Sequence, residues 1–428
     1  MRGPGRNTRT GGRTLAPREQ PARSVVRRMG SADSGGDATG EAQQTPLIDE
    51  HRRLGARMIE FAGWEMPVWY PSVSEEHAAV REAAGLFDIG HMGVVEIAGL
   101  GAVEFLDRVT TAKVGRIRSG RCHYTFVLDR TGLPIDDIIL YHMAADRFVA
   151  VVNAANHERV WAWLTGFDER PELRDLTDPA AGPERLCGMA LQGPASARVL
   201  AELADGADLA AMRRFAFVEA TVAGAPALVS RTGYTGEAIG FELFVHPERA
   251  PHLWGAILEA GAPHGVLPAG LGARDSTRIE AGLPLYGHEL AGSHEITPMG
   301  AGYERFVALD KPDFVGREGL LERERERRCE IVRFRLDDAG ARAIRTDDPV
   351  AARRGEMVGW VTSCALAGER QIGMAWVDRR VAREGAGLLA YPARQAERSA
   401  PLSDLASLQL GDRLPLHESA TVLPRFRH

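Results

Sequence analysis

Two carboxylates stand side by side in the stretch Gly120–Asn156, GRCHYTFVLDRTGLPIDDIILYHMAADRFVAVVNAAN. Its apolar runs, roughly Tyr124–Asp129, Pro134–Met143 and Phe148–Val152, are divided by the turn signals RTG and AADR, so the stretch reads as an antiparallel meander. Along the middle strand Ile135, Asp137, Ile139 and Tyr141 share one face, while Asp136, Ile138, Leu140 and His142 share the other. One carboxylate therefore points with apolar neighbours, and burying it costs several kcal/mol unless a hydrogen-bond partner answers it, which a ligand can do. The plainer alternative is that both aspartates are solvated beside a hairpin turn. At the end of the meander, Asn156 is placed to cap the helix HERVWAWL. Asn153 has no such local role and shares a face with Val151.

Further along, RTGYTGEAIGFE brings Gly233, Gly236 and Gly240 close together, but without a GxGxxG, a GK[ST] or a helix starting there it is no phosphate cradle. It reads instead as a glycine-rich turn holding Tyr234 near Glu237 and Glu242, a wall suited to a ligand with amide and amine donors. A helix over Ala269–Ala281, stopped by Gly282 and Pro284, sets Arg274 and Arg278 one turn apart on one face. Solvated pairing with Asp275 and Glu280 is one reading of these arginines; a guanidinium kept for an anionic substrate group is the other. His91 and Met92, and the aromatic group Trp64, Trp69 and Tyr70, read as packing.

The elements that must position these groups are those of a globular chain. With 428 residues, 44% of them hydrophobic, it has material for two or three domains. The formal net charge is −6 and the basic clusters lie mainly at the ends, which argues against nucleic-acid partners. Cys122, Cys187, Cys329 and Cys364 are far apart with no CxxC, so neither a disulfide framework nor a zinc site is expected, and a reducing, cytoplasmic setting fits best. No apolar run is long enough to span a bilayer, and no signal-peptide core follows the N-terminal arginines. Residues 1–45 read as a disordered extension, rich in Arg, Gly and Pro and then in Gly, Ala and Asp, with Met29 an alternative start.

From Pro46 onwards strands and helices alternate without long βαβ spacers, which predicts α+β units rather than a doubly wound sheet. The expected elements include a helix over LIDEHRRLGARMIEF, an amphipathic helix over Ser72–Ala84, a strand VVEIAG, a helix over Ala102–Thr110, a strand CGMALQGP, a helix ASARVLAEL and a strand-like FVEATVAGAPALVSR. ERERERR, Glu322–Arg328, reads as a surface linker. Beyond it CEIVRFRL, EMVGWVTS, RQIGMAWVD and GAGLLAYPAR predict a small β-barrel, and Ser399–His428 has no strong pattern. The division is thus 1–45, 46–325 and 326–428.

Seven motifs, FAGWEMPVWY, GLFDIGHMG, LPIDDIILY, VVNAAN, RTGYTGE, GLGARDSTRIEAGLPLYG and DFVGREGL, resemble in order and spacing the aminomethyltransferase (T-protein) family of the glycine cleavage system. The resemblance covers roughly Pro46 to Leu321 and is weaker in the barrel. It implies a three-domain cloverleaf, two mixed α/β ferredoxin-like units and a C-terminal small β-barrel around a central tetrahydrofolate site. It carries the catalytic aspartate onto Asp137 and the folate contacts onto Met92, Tyr124, Ile139, Tyr141, Val151, Asn153, Tyr234, Glu242 and Arg274. It further implies transfer of a one-carbon unit from the aminomethyl-lipoyl arm of a partner H-protein to tetrahydrofolate, with release of ammonia and no metal. Alternation along the strands agrees in one respect: Asp137, Ile139 and Tyr141 share a face, as do Val151 and Asn153.

Two departures from the family pattern stand out. Ala238-Ile239-Gly240 adds a residue before Phe241 and Glu242, which a bulge would absorb. In the barrel, TSCALAGERQIGMAWV replaces a TSG…SP…L pattern on the donor side. Two other folate-binding readings follow: a demethylase of a small methylated amine, sulfonium or aromatic ether, and an iron–sulfur assembly protein, whose K-G-C-Y-x-G-Q-E pattern is missing here.

Overall fold

The meander expected between Tyr124 and Val152 forms in the computed structural model, which describes residues 42–393, 407–414 and 417–427. Its strands are Cys122–Leu128, Pro134–Ala144 and Arg147–Val152, joined by Gly93–Ala98 and Glu172–Asp175 into a five-stranded antiparallel sheet. In register, Asp137 faces Phe126, and Ile139 lies between Tyr124 and Val151. The face alternation holds from Asp136 on, but Ile135 packs with Ile138 and Leu140. The ladder shifts between Val127 and Leu128, leaving Ile135 without a partner residue, so the bulge turns it to the other face.

Asp136, Ile138 and Leu140 face the helices Ala102–Val109 and His157–Thr165, against Phe105, Leu106, Val160 and Leu164. Seven strands form the second sheet, in the order Ala204–Asp205, Phe217–Val222, Ala225–Ser230, Gly240–Val245, Cys187–Gln192, Ala84–Asp88 and Val266–Ala269. It carries its own core around Trp254 on the helix Ala250–Gly261. Between the sheets lies an apolar layer in which Tyr141, Val149 and Val151 meet Ala190, Phe217 and Phe244. The face of the meander bearing Asp137 is therefore turned towards the second sheet.

Several expectations are corrected. The first helix covers only Ile48–Arg53; the chain turns at Leu54–Gly55, and Arg57–Phe61 is a strand paired with Trp64–Trp69. FVEATVAGAPALVSR is two strands, Phe217–Val222 and Ala225–Ser230, reversed at Ala223–Gly224. The charge run is ordered: Glu322–Glu326 ends the helix Arg317–Glu326, which buries Leu320 and leads into the first barrel strand, and Glu324 pairs with Arg327 at 2.8 Å. The tail supplies Glu418–Leu423, the strand that closes a six-stranded barrel against Cys329–Leu336 and Gly387–Ala390. Gly240–Val245 pairs with Cys187–Gln192 without a register shift, so the loop before Gly240, rather than a bulge, takes up the extra residue. Most of the expected N-terminal disorder lies outside the described residues, but 42–45 are structured. Gln43–Gln44 pairs with Trp64–Glu65, and Thr45 Oγ1 donates to Asp88 at 2.6 Å. Among the described residues no helix is long and apolar enough to cross a membrane.

The arginine helix, Leu271–Ala281, ends at Gly282, whose φ of 78° makes the left-handed stop that favours glycine. Its Arg278 is 1% exposed and paired with Glu289, itself 0% exposed, at 2.7 Å. Nε donates to Asp275 Oδ1 and Nη2 to Ser363 Oγ, both at 2.9 Å. Ser363 lies on the barrel strand Met357–Ala367, so Arg278 ties the helix to the barrel and is neither solvated nor free for a substrate. Arg278→Ala leaves Glu289 buried and unpaired and lowers stability by about 3–5 kcal/mol. Denaturant unfolding checks this: a smaller loss in Arg278→Ala/Glu289→Ala than in the single variant is expected, and an unchanged midpoint in Arg278→Ala contradicts it.

Candidate functional site

Asp136 is wholly buried and meets three N–H donors from the turn after the meander. The backbone N–H of Asn153 donates to Oδ2 at 2.9 Å, its Nδ2 donates to Oδ1 at 2.8 Å, and Asn156 Nδ2 donates to Oδ1 at 2.6 Å. The Asn156 amide is thus committed to Asp136 and does not cap the following helix. Asn153 gains the role that its sequence position left undefined. Its Nδ2 also lies 3.0 Å from the Asp137 carbonyl and 3.1 Å from Asp137 Oδ1, so one amide bridges both faces of the strand.

Asp137 is half-buried on the opposite face, and the hydroxyl of Tyr124 donates to its Oδ2 at 2.9 Å. Burial lifts the Asp137 carboxyl above the ordinary carboxylate range, against the Tyr124 hydroxyl, the Arg274 charge and the Asn153 amide. Asp136 is lifted too, by burial and then by the neighbouring Asp137 charge, with the asparagine donors opposing. Two adjacent carboxyls in a dry setting resist double ionisation, so they titrate as one unit. The ring of Tyr124 is fixed by Phe306 at 4.9 Å and Tyr303 at 5.5 Å between centroids.

Across from this dyad, Arg274 holds its guanidinium 4.4 Å above the ring of Tyr234. The guanidinium has no hydrogen-bond or ion-pair partner among the described residues. Its charge acts on both Asp137 and Glu242. Glu242 is raised by burial, against Thr232 Oγ1, which donates to it at 2.5 Å, and against Arg274. From there a hydroxyl chain runs back to the first sheet: Thr232 Oγ1 to Ser230 Oγ at 2.6 Å, and Ser230 Oγ to Tyr141 at 3.0 Å. Tyr234 is oriented by donating its hydroxyl to the Pro284 carbonyl at 2.5 Å.

The residues singled out from sequence thus divide in two. Tyr124, Asp137, Asn153, Tyr234, Glu242 and Arg274 supply polar groups from both sheets and the arginine helix. Ile139, Tyr141, Val151 and Met92 belong to the apolar layer between the sheets, with Tyr141 0% and Val151 9% exposed, so they form a floor. His91 is buried beside Met92, its Nδ1 unpartnered, and burial and the Arg274 charge push it down to about 4, so it is neutral. Sequence reasoning missed the Ser230–Thr232 hydroxyls, although their two-residue spacing puts them on one face. It also missed Tyr303 and Phe306, which lie outside any long helix or strand and left no periodic signal. Beyond Tyr124 opens a cavity of about 700 Å³ lined by Arg116, Arg118, Arg121, Arg213 and Arg305 with no carboxylate. Among the described residues no group of three or more His, Cys, Asp or Glu is arranged to hold a metal ion.

Comparison with known proteins adds relatives to this geometry. Residues 47–311 match the family model of the GCVT N-terminal domain. The chain is 44% identical over 352 residues to an aminomethyltransferase of Geobacillus kaustophilus, covering 80% of this chain and 92% of that protein. It is 43% identical over 343 residues to an aminomethyltransferase of Symbiobacterium thermophilum, covering 78% and 89%. Among solved structures it is similar to glycine cleavage system aminomethyltransferase T from Bartonella henselae, with a TM-score of 0.74 and 28% identity, covering 90% of this chain and 97% of that one.

Tyr124→Phe removes a donor that favours the ionised dyad, so the carboxyls hold their proton to higher pH. The acidic limb of kcat/KM against pH then moves up by about one unit, the equivalent of one ordinary net hydrogen bond. An unmoved limb would separate Tyr124 from the titrating group.

Proposed function

The chain belongs to the GCVT family of aminomethyltransferases, and from that premise we propose how its residues move a one-carbon unit from the aminomethyl-lipoyl arm of an H-protein to tetrahydrofolate, with release of ammonia. One observation carries the assignment of roles: the Arg274 guanidinium, stacked on Tyr234 but bonded to no acceptor among the described residues, acts by its charge on two carboxyls, Asp137 and Glu242, that burial has raised. A buried cation kept free of protein acceptors, flanked by acceptors for N–H donors, suits a ligand carrying both kinds of group.

The residues fit a folate by their chemistry. Tetrahydrofolate supplies the amine nitrogens that accept the one-carbon unit. Glu242, oriented by Thr232, is an acceptor for the amino and ring N–H groups of a pterin. Arg274 offers donors to its carbonyl side. The arginines beyond Tyr124 suit the anionic glutamate end of the same molecule.

Asp137 acts at the reacting nitrogen. Held by Tyr124 and Asn153, it stabilises positive charge developing there and, with its raised affinity for protons, can take up the proton that the amine gives up. The carbon loses its bonds to sulfur and to the amino nitrogen and gains bonds to two folate nitrogens; the two protons those nitrogens give up end on the sulfur and on the departing amine, so the arm leaves as a dithiol and the nitrogen as ammonia. The apolar floor of Ile139, Tyr141, Val151 and Met92 keeps water from the activated carbon, which would otherwise hydrolyse. The four cysteines are free, which supports the reading of a reducing, cytoplasmic setting.

Asp137→Ala lowers kcat by about 10²–10⁴-fold with a wild-type unfolding midpoint, since the side chain lines the site and fills no core. A wild-type rate removes Asp137 from catalysis. Arg274→Ala raises KM for tetrahydrofolate by about 10–100-fold, the worth of a hydrogen bond to a charged group, and changes kcat less. Unchanged folate affinity removes Arg274 from the binding site. The direct test supplies purified protein with tetrahydrofolate and aminomethylated H-protein and follows methylene-tetrahydrofolate and ammonia together. Folate binding without either product overturns the donor and favours a small methylated substrate.

A further inference from the structure

The helix Val73–Glu82 contributes none of the groups assigned to the site, yet its inner face grips two elements that do. Ser72 caps it, accepting the Glu75 N–H at 3.2 Å. Glu76, 0% exposed, accepts the N–H of Gly270, the first residue before the arginine helix, at 2.8 Å. His77 Nδ1 meets Ser276 Oγ at 2.8 Å, and its Nε2 meets Glu280 Oε2 at 3.1 Å. One turn on, Arg81 makes four hydrogen bonds in two directions. Towards the arginine helix, Nε donates to Glu280 Oε2 at 2.7 Å and Nη2 to the Thr277 carbonyl at 3.0 Å. Towards the loop of Tyr234, Nη1 donates to the Thr235 carbonyl at 2.8 Å and to Glu237 Oε1 at 2.7 Å.

That loop needs an external tie. Residues 231–239 belong to no helix or strand. Gln192 holds the loop from within, its Nε2 donating to the Thr232 carbonyl and its Oε1 accepting from Thr235 Oγ1, both at 3.1 Å. Gln192 does not reach the arginine helix, whereas Arg81 joins the loop to it with bonds of 2.7–3.0 Å from one rigid guanidinium. Its side chain is 11% exposed, and those of Glu237 and Glu280 are 15% and 21%, so solvent screens these bonds little. Arg427 reinforces the same pair from outside, at 3.4 Å from Glu237 and 3.5 Å from Glu280. Gly236, at a φ of 78°, brings the loop so near the helix that a Cβ there would lie 2.3 Å from that of Ala281.

We propose that Arg81 is a positioning residue: by bonding the loop and the helix through one planar guanidinium, it sets the distance between Tyr234 and Arg274 and so the shape of the folate clamp. The inference rests on the folate reading above. Arg81 itself reaches none of the reacting groups. A lysine has one point of charge where the arginine fork serves two directions, so it recovers only part of the arrangement.

The test compares full-length wild type, Arg81→Met, Arg81→Lys and Glu237→Ala, measuring KM and kcat for tetrahydrofolate, KM for the carrier and the unfolding midpoint. In Arg81→Met the folate KM rises about tenfold, within the range of a small misplacement of binding groups, while kcat at saturating folate and carrier KM stay within about threefold. Arg81→Lys lies between. A merely structural role gives a lowered midpoint with unchanged folate KM, and that result overturns the proposal. If Arg81→Met does not fold, Glu237→Ala decides: a raised folate KM supports the clamp, and a wild-type value overturns it. Wild-type protein that fails to use tetrahydrofolate sinks the functional reading instead, whereas active wild type beside unaltered variants sinks only the role of Arg81.

Discussion

A carboxylate buried in the middle of a strand must be answered by donors, and the way Asp136 is answered organises the site. Its side chain lies with Ile138 and Leu140 against two helices, where an unpaired charge would cost several kcal/mol. Asn153 and Asn156 meet that demand from one short turn, which fixes where the last strand ends and where the next helix begins. The Asn153 amide then reaches the other face and orients Asp137. The residue with the proposed chemistry is thus positioned by the burial of its neighbour, and both carboxyls share the same resistance to ionisation.

The two arginines of one helix divide a second set of duties. Arg278 is saturated by Asp275, Glu289 and Ser363 and secures the helix to the barrel. Such a pair is weak as a source of stability but costly to break, because either half alone is a buried charge. Arg274, one turn earlier, is supported from below by a ring and has its donors free. The Val73–Glu82 helix adds a third fixed line, gripping the arginine helix at its start, its middle and its end.

Two sheets facing each other across an apolar layer bring carboxyls from separate strands to one cation. Asp137 comes from the first sheet, Glu242 from the second, and the hydroxyls of Tyr141, Ser230 and Thr232 bridge them. Within that dry layer the fields of Arg274 and the carboxyls are stronger than they would be in water, which suits transfer of a carbon that water would destroy.

Local patterning made much of this legible. Alternation placed Asp137, Ile139 and Tyr141 together, the turn signals delimited the meander, and Gly282 marked the end of the arginine helix, because each depends on neighbours only a few residues away. Seven ordered motifs pointed to the family and so to the site residues. Partners distant in the chain were not legible. Nothing near Asn156 says that its amide serves Asp136 instead of its own helix, and nothing near Glu418–Leu423 says that it closes a barrel against residues eighty or more positions earlier. Likewise Arg274 and Arg278 are equivalent by spacing; only the packing of Glu289 and the barrel strand beside Arg278 commits one and frees the other. Sequence determined which groups are present and which face each takes along its own element. Tertiary structure decided which charges are answered within the protein and which remain for a ligand, because that depends on what the fold brings within hydrogen-bond reach.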